Sequence, residues 1–525
     1  MDWLFAALWL LSLLGYVGLL GRWVHRAFAP LTALCGLSLG VYLLGLLGLM
    51  EAGGWVLLAG GLLCLGLALW KKPFPFGWDT LAFALGCLLL HLRYRGCLLI
   101  AYDDFSHWGM IVQRMLLTGS LPQSGDSLIA FQSYPPGAAC WAWYACRFLG
   151  GGDGGMLSAQ AWLTLAGLWP LTALLGQKQR PFKALCLLPV GLIGLSLFQG
   201  TASMMVDNLL AAPAIGALAM TAYGKKDALW PVSIVLAQLC MVKDSGLFLA
   251  LGCAAVWLAM QQGPRRKRLI RLGLLALPSA AARVSWYIHI KTAFPAADTT
   301  RHAMTLANMR LAGSDKSYGD MLTIAQSLFS RAMSLGNQAV QALLLALVIG
   351  LLLWLCRLLS RRDWWVLAGM ALGYLAWLMG LLFMYIFSMP ISGALELSAF
   401  ERYNSTFALL LYGAVAVWLL CRVGQANRRC LLAALLCIPL LLPSWRAGIP
   451  NLLQKGLYFS PLREQMQVLA DQRPLQEGET AVLLLPDGEN KPYATYMAQY
   501  VFQSPLISAD FTNPGNTDVV YQLDE

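Results

Sequence analysis

Apolar runs of about 20 residues, separated by short polar segments, recur along the chain from residue 3 to residue 444. An α-helix of that length rises 1.5 Å per residue and crosses the ~30 Å hydrocarbon core of a bilayer. The pattern therefore predicts about fourteen transmembrane helices. We place them at 3–21, 30–50, 54–70, 79–100, 157–176, 183–200, 208–224, 228–242, 246–261, 268–288, 336–358, 364–388, 404–422 and 429–444.

One apolar stretch, residues 137–149, is shorter than a membrane span. If it crossed the bilayer, the basic segment at 177–183 would lie on the side opposite to the other basic segments. We therefore interpret it as an interfacial helix that lies along the membrane. This interpretation predicts Trp141, Trp143 and Tyr144 at the depth of the lipid headgroups.

The end of the chain has a different pattern. Residues 445–525 predict two amphipathic helices and three short strands, in the segments PLREQMQVLADQ, TAVLLL, KPYATYMAQYVF, SPLISADF and VVYQL. The predicted fold class is an all-α polytopic membrane protein with a small C-terminal α/β domain. We divide the chain into three N-terminal transmembrane helices (1–78), a transmembrane core (79–444) with a long outer loop (101–156), and the C-terminal domain (445–525).

Composition and charge agree with a membrane protein and give its orientation. Only 12% of the residues are charged, about half the proportion in soluble domains. The net charge is +11, but the C-terminal domain holds ten acidic and five basic residues. The remaining basic residues form short clusters between spans, which indicates cytoplasmic loops and argues against a nucleic-acid-binding surface. These clusters are Arg22 and Arg26, Lys71 and Lys72, 178–183, Lys225 and Lys226, 265–268, 357–362 and 422–429.

Neither cysteine nor histidine forms a pattern typical of a metal site. The 13 cysteines are scattered without a Cys-x-x-Cys pair, and the five histidines are dispersed. The Gly-rich segment 150–155 lacks the lysine and the helix context of a phosphate-binding P-loop. The sequence therefore predicts no metal and no cofactor. The absence of paired cysteines and the compact loops favour a bacterial plasma membrane.

The densest group of ionisable residues follows the span at 79–100. Asp103 and Asp104 are adjacent and are flanked by aromatic residues. Two neighbouring carboxylates at a membrane surface repel each other and lose solvation, and both effects raise a carboxylate pKa and improve it as a proton acceptor. Alternatively, the two acids simply end a helix in solvent.

Further polar motifs fall on the same predicted outer face. They are the turn Tyr134-Pro135-Pro136-Gly137, Asp207 at the start of a span, the hairpin that begins with Lys243, and the pair Arg402-Tyr403 before a late span. In order, spacing and sidedness these motifs resemble the GT-C membrane glycosyltransferases. The most similar branch contains the protein mannosyltransferases and aminoarabinose transferases (glycosyltransferase family 39-like). The resemblance covers roughly residues 79–425, so the first three spans precede it.

The resemblance implies a function. Members of that family transfer a sugar from a polyprenyl-phosphate donor to an acceptor outside the cytoplasm. Asp103 matches the general base that deprotonates the acceptor hydroxyl, and Asp104 stands where the family usually has Glu. Asp207 matches a later loop acid; we expect Asp104 and Asp207 to support the acceptor. Lys243 and Arg402 match residues suited to binding the donor phosphate.

Three further residues, His107, Tyr134 and Tyr403, are predicted to line the substrate site. The expected partners are the lipid-linked donor, an extracytoplasmic acceptor (a glycan, a lipid or a protein) and the bilayer. A divalent cation is not favoured, because the acids are adjacent and do not form an Asp-x-Asp pattern.

Three alternative functions remain open from the sequence. A polysaccharide polymerase or ligase would use a lipid-diphosphate oligosaccharide and would depend on arginines in the late outer loops. A lipid or sugar transporter would place ionisable groups near the middle of the membrane. A non-catalytic scaffold would bind an outer partner through the C-terminal domain.

Overall fold

The computed structural model describes residues 2–70, 76–123, 126–175, 203–224, 228–294, 306–355, 357, 359–423, 460–486, 489–511 and 517–523. Within these residues the chain is mainly helical. The α-helices described up to residue 293 are Asp2–Leu20 (α1), Ala29–Leu46 (α2), Met50–Trp70 (α3), Trp78–Tyr94 (α4), Gly109–Thr118 (α5), Gly137–Leu149 (α6), Asp153–Leu168 (α7), Asp207–Tyr223 (α8), Leu229–Val242 (α9), Ser245–Met260 (α10) and Arg265–Ala293 (α11).

Short non-α turns of helix occur at Asp104–Trp108, which is a π-helix, and at Trp169–Leu175, which is a 3₁₀-helix. The remaining α-helices are Leu306–Ser314 (α12), Tyr318–Ala332 (α13), Gln338–Leu355 (α14), Arg361–Phe387 (α15), Ile391–Leu395 (α16), Phe400–Val423 (α17), Pro461–Gln472 (α18) and Lys491–Phe502 (α19).

Among the described residues, five helices are long and apolar enough to cross a membrane: Ala29–Leu46, Met50–Trp70, Gln338–Leu355, Arg361–Phe387 and Phe400–Arg422. Shorter apolar helices accompany them, and every predicted span that lies among the described residues corresponds to a helix. The predicted spans at 183–200 and 429–444 lie outside the described residues. The helical membrane-type fold is thus confirmed, whereas the number of fourteen spans is not.

Helix α6 forms as predicted, and its aromatic residues are enclosed by other helices. Trp141, Trp143 and Tyr144 are fully buried. The indole of Trp141 donates to the carbonyl of Ala159 at 2.6 Å, and its ring lies 6.0 Å from that of Trp9. These side chains contact protein, because α1, α2 and α7 pack around α6 and provide its apolar surroundings. The position of α6 at headgroup depth stays a prediction.

The C-terminal unit, which comprises the described residues 460–523, has the predicted order of elements. Its strands Ala481–Leu484 (β1), Ile507–Asp510 (β2) and Val519–Gln522 (β3) form a parallel sheet in the order β2-β1-β3. Helix α19 connects β1 to β2, as parallel strands require a crossover. The sheet is small, and α19 lies against both β2 and the π-helix Asp104–Trp108. The unit is therefore in contact with the predicted outer loop.

Candidate functional site

The acidic pair lies in an irregular turn of helix. Asp103 directly precedes the π-helix, which continues into α5 without interruption. Single turns of π-helix are rare and occur frequently at functional sites. We call residues 103–108 the acidic turn. It gives its two carboxylates different surroundings, because Asp104 is fully buried whereas the side chain of Asp103 is 29% exposed.

Arg402 connects the acidic turn with a second acid. Its Nη1 atom donates to Oδ2 of Asp103, and its Nε atom lies 3.7 Å from Oδ2 of Asp207. Asp207 begins α8 and Arg402 lies in the first turn of α17, so two helix ends meet at this point. Thr406, one turn after Arg402, donates to Oδ1 of Asp207 at 3.4 Å. Three residues selected from the sequence thus form one ion-pair cluster.

Asp104 lies beneath this cluster and makes different contacts. Its Oδ1 atom accepts hydrogen bonds from the hydroxyl of Ser203 (2.9 Å) and the amide of Met204 (2.8 Å). Its Oδ2 atom has no hydrogen-bond partner among the described residues. Burial, with a smaller contribution from Asp103, raises the pKa of Asp104 to about 8 despite these hydrogen bonds. Asp104 is therefore a neutral acid near pH 7, and the raised pKa expected of the pair belongs to Asp104.

This protonation gives a testable pH dependence. Between pH 3.8 and about 8 the folded protein holds a proton on Asp104 that the unfolded chain has lost, so this residue lowers the free energy of unfolding as pH rises. Asp104→Asn cannot titrate and should lack this contribution. We expect the melting temperature of the wild type to fall more steeply over this pH range than that of the variant, measured in nanodiscs. Parallel profiles would show that Asp104 is ionised in the folded protein.

Tyr403 lies between two cations. The Nζ atom of Lys243 is 5.0 Å from the centre of its ring, and the guanidinium carbon of Arg402 is 5.1 Å from it. Lys243 occupies the predicted hairpin between α9 and α10, where the next residue, Asp244, is paired with Arg283 at 2.7 Å. In the described part of the chain no carboxylate lies within 4.0 Å of Lys243. Two cations at one aromatic ring suit an anion such as a phosphate.

His107 and Tyr134 form the wall beside these cations. Their ring centres are 4.9 Å apart, and Phe131 and Trp108 complete an aromatic group around the imidazole. Burial, followed by the charge of Lys243, lowers the pKa of His107 to about 3, so the ring is neutral. Burial also raises the pKa of Tyr134. The charge of Asp103 raises this pKa further, whereas that of Arg402 lowers it. All eight residues selected from the sequence therefore lie in one region.

The two carboxylates paired with Arg402 are the natural candidates for metal ligands in this region. A guanidinium, however, contacts both of them. Among the described residues no three His, Cys, Asp or Glu side chains come together as a metal site would require. The expectation that the protein needs no divalent cation stays a prediction.

Several residues contribute to the site although no sequence motif pointed to them. Ser203 and Met204 hold Asp104, and the sulfur of Met205 lies 3.5 Å from Nη1 of Arg402. Gln160 in turn donates to the carbonyl oxygen of Met205 at 2.6 Å. None of these residues carries a charge, and they are distant in sequence from their partners. Only Thr406 could have been predicted from the sequence, since it lies four residues after Arg402 and therefore on the same face of α17.

Comparisons with known proteins give weak similarity. No protein-family model matches the chain, and no curated protein matches it. Among solved structures, ArnT from Cupriavidus metallidurans bound to undecaprenyl phosphate is similar with a TM-score of 0.44 and 12% identity. The apo structure of the same protein gives a TM-score of 0.37 and 11% identity. In both cases the match covers 82% of this chain and 85% of the other.

ArnT is an aminoarabinose transferase of the GT-C type. The similarity extends over most of both chains.

Proposed function

We propose that the protein is a membrane glycosyltransferase that moves a sugar from a polyprenyl-phosphate donor to an extracytoplasmic acceptor. The observation that carries this proposal is the cluster around Arg402. It combines a partly exposed carboxylate, Asp103, with two cations, Arg402 and Lys243, on either side of Tyr403. A base and an anion-binding pair are the two groups that such a transfer requires.

The cations serve the donor. A polyprenyl phosphate leaves as an anion, and its developing charge is stabilised by Lys243 and Arg402. Because Arg402 is paired with Asp103 in this structure, the donor phosphate shares the guanidinium with the base. Asp207 contacts the Nε side of Arg402 and keeps it oriented.

Asp103 serves the acceptor. Its carboxylate takes the proton of the acceptor hydroxyl, whose oxygen attacks the anomeric carbon while the bond to the phosphate oxygen breaks. A single displacement of this kind inverts the anomeric configuration. Asp104, which the sequence suggested as a support for the acceptor, is neutral and buried, and we assign it to holding the segment 203–205. His107, Tyr134 and Tyr403 form the apolar and neutral wall of the substrate site.

The basic clusters predict that the acidic turn lies on the extracytoplasmic side. We propose a multi-pass plasma membrane protein, of bacterial type, with the site and the C-terminal unit outside the cytoplasm. Ser317, at the exposed N-cap of α13, would be replaced by cysteine in Ser317→Cys. The accessibility of this cysteine to a membrane-impermeant reagent tests the sidedness.

The class of lipid-linked donor that the protein uses tests the proposed function. Purified protein in nanodiscs would be given a panel of polyprenyl-phosphate sugars in one arm and polyprenyl-diphosphate oligosaccharides in the other, with host membrane extract as the acceptor. We expect release of polyprenyl phosphate in the first arm only. Release of polyprenyl diphosphate in the second arm would identify a polymerase or ligase. Movement of labelled lipid across vesicles without sugar transfer would identify a transporter.

A further inference from the structure

The C-terminal unit lies directly against the acidic turn. Phe105, the residue after Asp104, is fully buried, and its ring lies 5.9 Å from that of Tyr493 and 5.3 Å from that of Tyr500. These tyrosines are seven residues apart on α19 and therefore share one face of the helix. A third tyrosine of that helix, Tyr496, packs edge-on against Tyr102 at 5.1 Å. An aromatic stripe of the C-terminal unit thus covers the acidic turn.

Hydrogen bonds fix the same contact at both ends. The hydroxyl of Tyr493 donates to the carbonyl of Ile100 at 2.6 Å, just before the acidic turn. The side-chain amide of Gln503 donates to that of Gln113 in α5 at 2.6 Å, just after it. The C-terminal unit therefore holds the chain on both sides of Asp103.

A buried carboxylate, Asp153, forms the centre of this interface. It lies in the first turn of α7 and accepts a hydrogen bond from the hydroxyl of Tyr500 at 2.7 Å. Its other oxygen accepts the amide of Leu99 at 2.9 Å and lies 3.7 Å from the guanidinium of Arg463. Arg463 in α18 is itself only 4% exposed and stacks over the ring of Tyr500 at 5.4 Å. Asp153 thus contacts both helices of the C-terminal unit and the backbone just before the acidic turn.

The interface leaves little room for adjustment. A Cβ atom on Gly109 would lie 2.5 Å from Leu99 and 3.4 Å from the ring of Tyr500. Burial and the neighbouring Asp153 raise the pKa of Tyr500 far above its usual range, so its hydroxyl remains a donor at all physiological pH values. A closely packed contact with these hydrogen bonds restrains the backbone that it covers.

We infer that the C-terminal unit completes the catalytic site, with Tyr500 and Asp153 as positioning residues that hold the acidic turn so that Asp103 meets Arg402. This inference rests on the proposed function for the role of Asp103, but the physical restraint on the acidic turn is independent of it. Positioning residues act on the geometry of the transition state, and a misplacement of about 1 Å can cost a hundredfold in rate.

The test compares Tyr500→Phe with Tyr496→Phe in the full-length protein. Each variant loses one hydroxyl from the same helix and keeps its ring, but only the hydroxyl of Tyr500 is bonded to Asp153; among the described residues the hydroxyl of Tyr496 has no hydrogen bond. We expect Tyr500→Phe to lower kcat roughly tenfold with the donor KM unchanged, since Lys243 and Arg402 are not touched. Tyr496→Phe should retain the wild-type kcat. Equal kcat values in the two variants would overturn the inference.

Hydrogen–deuterium exchange provides a readout that needs no activity. Amides of residues 99–109 should exchange about tenfold faster in Tyr500→Phe than in the wild type, and at the wild-type rate in Tyr496→Phe. Unchanged exchange rates in Tyr500→Phe would show that the hydroxyl of Tyr500 does not restrain the acidic turn. If the wild type transfers no sugar from any donor, the proposed function fails, and the exchange rates alone decide whether the C-terminal unit restrains the acidic turn.

Discussion

Replacing Asp103 by asparagine is expected to reduce kcat for sugar transfer by about a thousandfold, within the range of 10² to 10⁴ typical of a lost general base. Asparagine has the size of aspartate and can still accept the hydrogen bond from Arg402, so the ion-pair cluster loses a charge but keeps its shape. An amide does not accept a proton at neutral pH. Because the two cations remain, the donor KM should change little. Release of polyprenyl phosphate measures both constants.

The matched control is Asp104→Asn, which makes the same chemical change in the adjacent residue. Asp104 is already neutral near pH 7, with a pKa of about 8, and asparagine resembles that protonated form. We expect this variant to be at least about tenfold more active than Asp103→Asn. The reverse order would assign the base to Asp104. Equal, complete losses, accompanied by a lower melting temperature in both, would mean that the acidic turn has lost its structure.

Replacing Arg402 should also lower the rate of sugar transfer strongly, because it removes a group that stabilises charge and not the general base. Its guanidinium contacts Asp103 through Nη1 and Asp207 through Nε, and a lysine, which carries a single ammonium, cannot reach both carboxylates in this way. Loss of a preorganised group that stabilises developing charge costs about 10² to 10³ in kcat. We therefore expect Arg402→Lys to lower kcat/KM by about a hundredfold or more. Arg402→Ala should be worse, because two facing carboxylates then lack a counter-charge.

Arg422, at the other end of the same helix, provides the control. It is paired with the buried Asp363 at 2.6 Å, so Arg422→Lys also weakens an ion pair of α17 but lies far along the helix from the site. We expect this variant to alter the melting temperature while donor kinetics stay close to those of the wild type. A comparable loss of activity in Arg422→Lys and Arg402→Lys would attribute both effects to the stability of α17. Activity of Arg402→Lys near the wild-type level would remove Arg402 from the site.

Local patterns were sufficient for the elements of the chain. The helices α18 and α19 and the strands β1, β2 and β3 lie within the segments predicted from the sequence, because amphipathic periodicity, N-cap residues and short apolar runs act over a few neighbouring residues. The hairpin at Lys243 was predictable for a similar reason, since a polar pair interrupts two apolar runs. The sequence likewise identified the charged residues at the ends of helices, which are costly in a bilayer and stand out among apolar neighbours.

The sequence by itself determined which residues form helices and strands and which polar side chains gather at one end of the membrane core. The tertiary structure decided which of two adjacent acids is buried and neutral, since that depends on Ser203 and Met204, about a hundred residues away. It also enclosed the aromatic face of α6 in protein, because the N-terminal helices pack around it. It placed α19 on the acidic turn through contacts that join residues nearly four hundred positions apart. Solvation and ion pairing are set by such distant neighbours, whereas secondary structure is set by near ones.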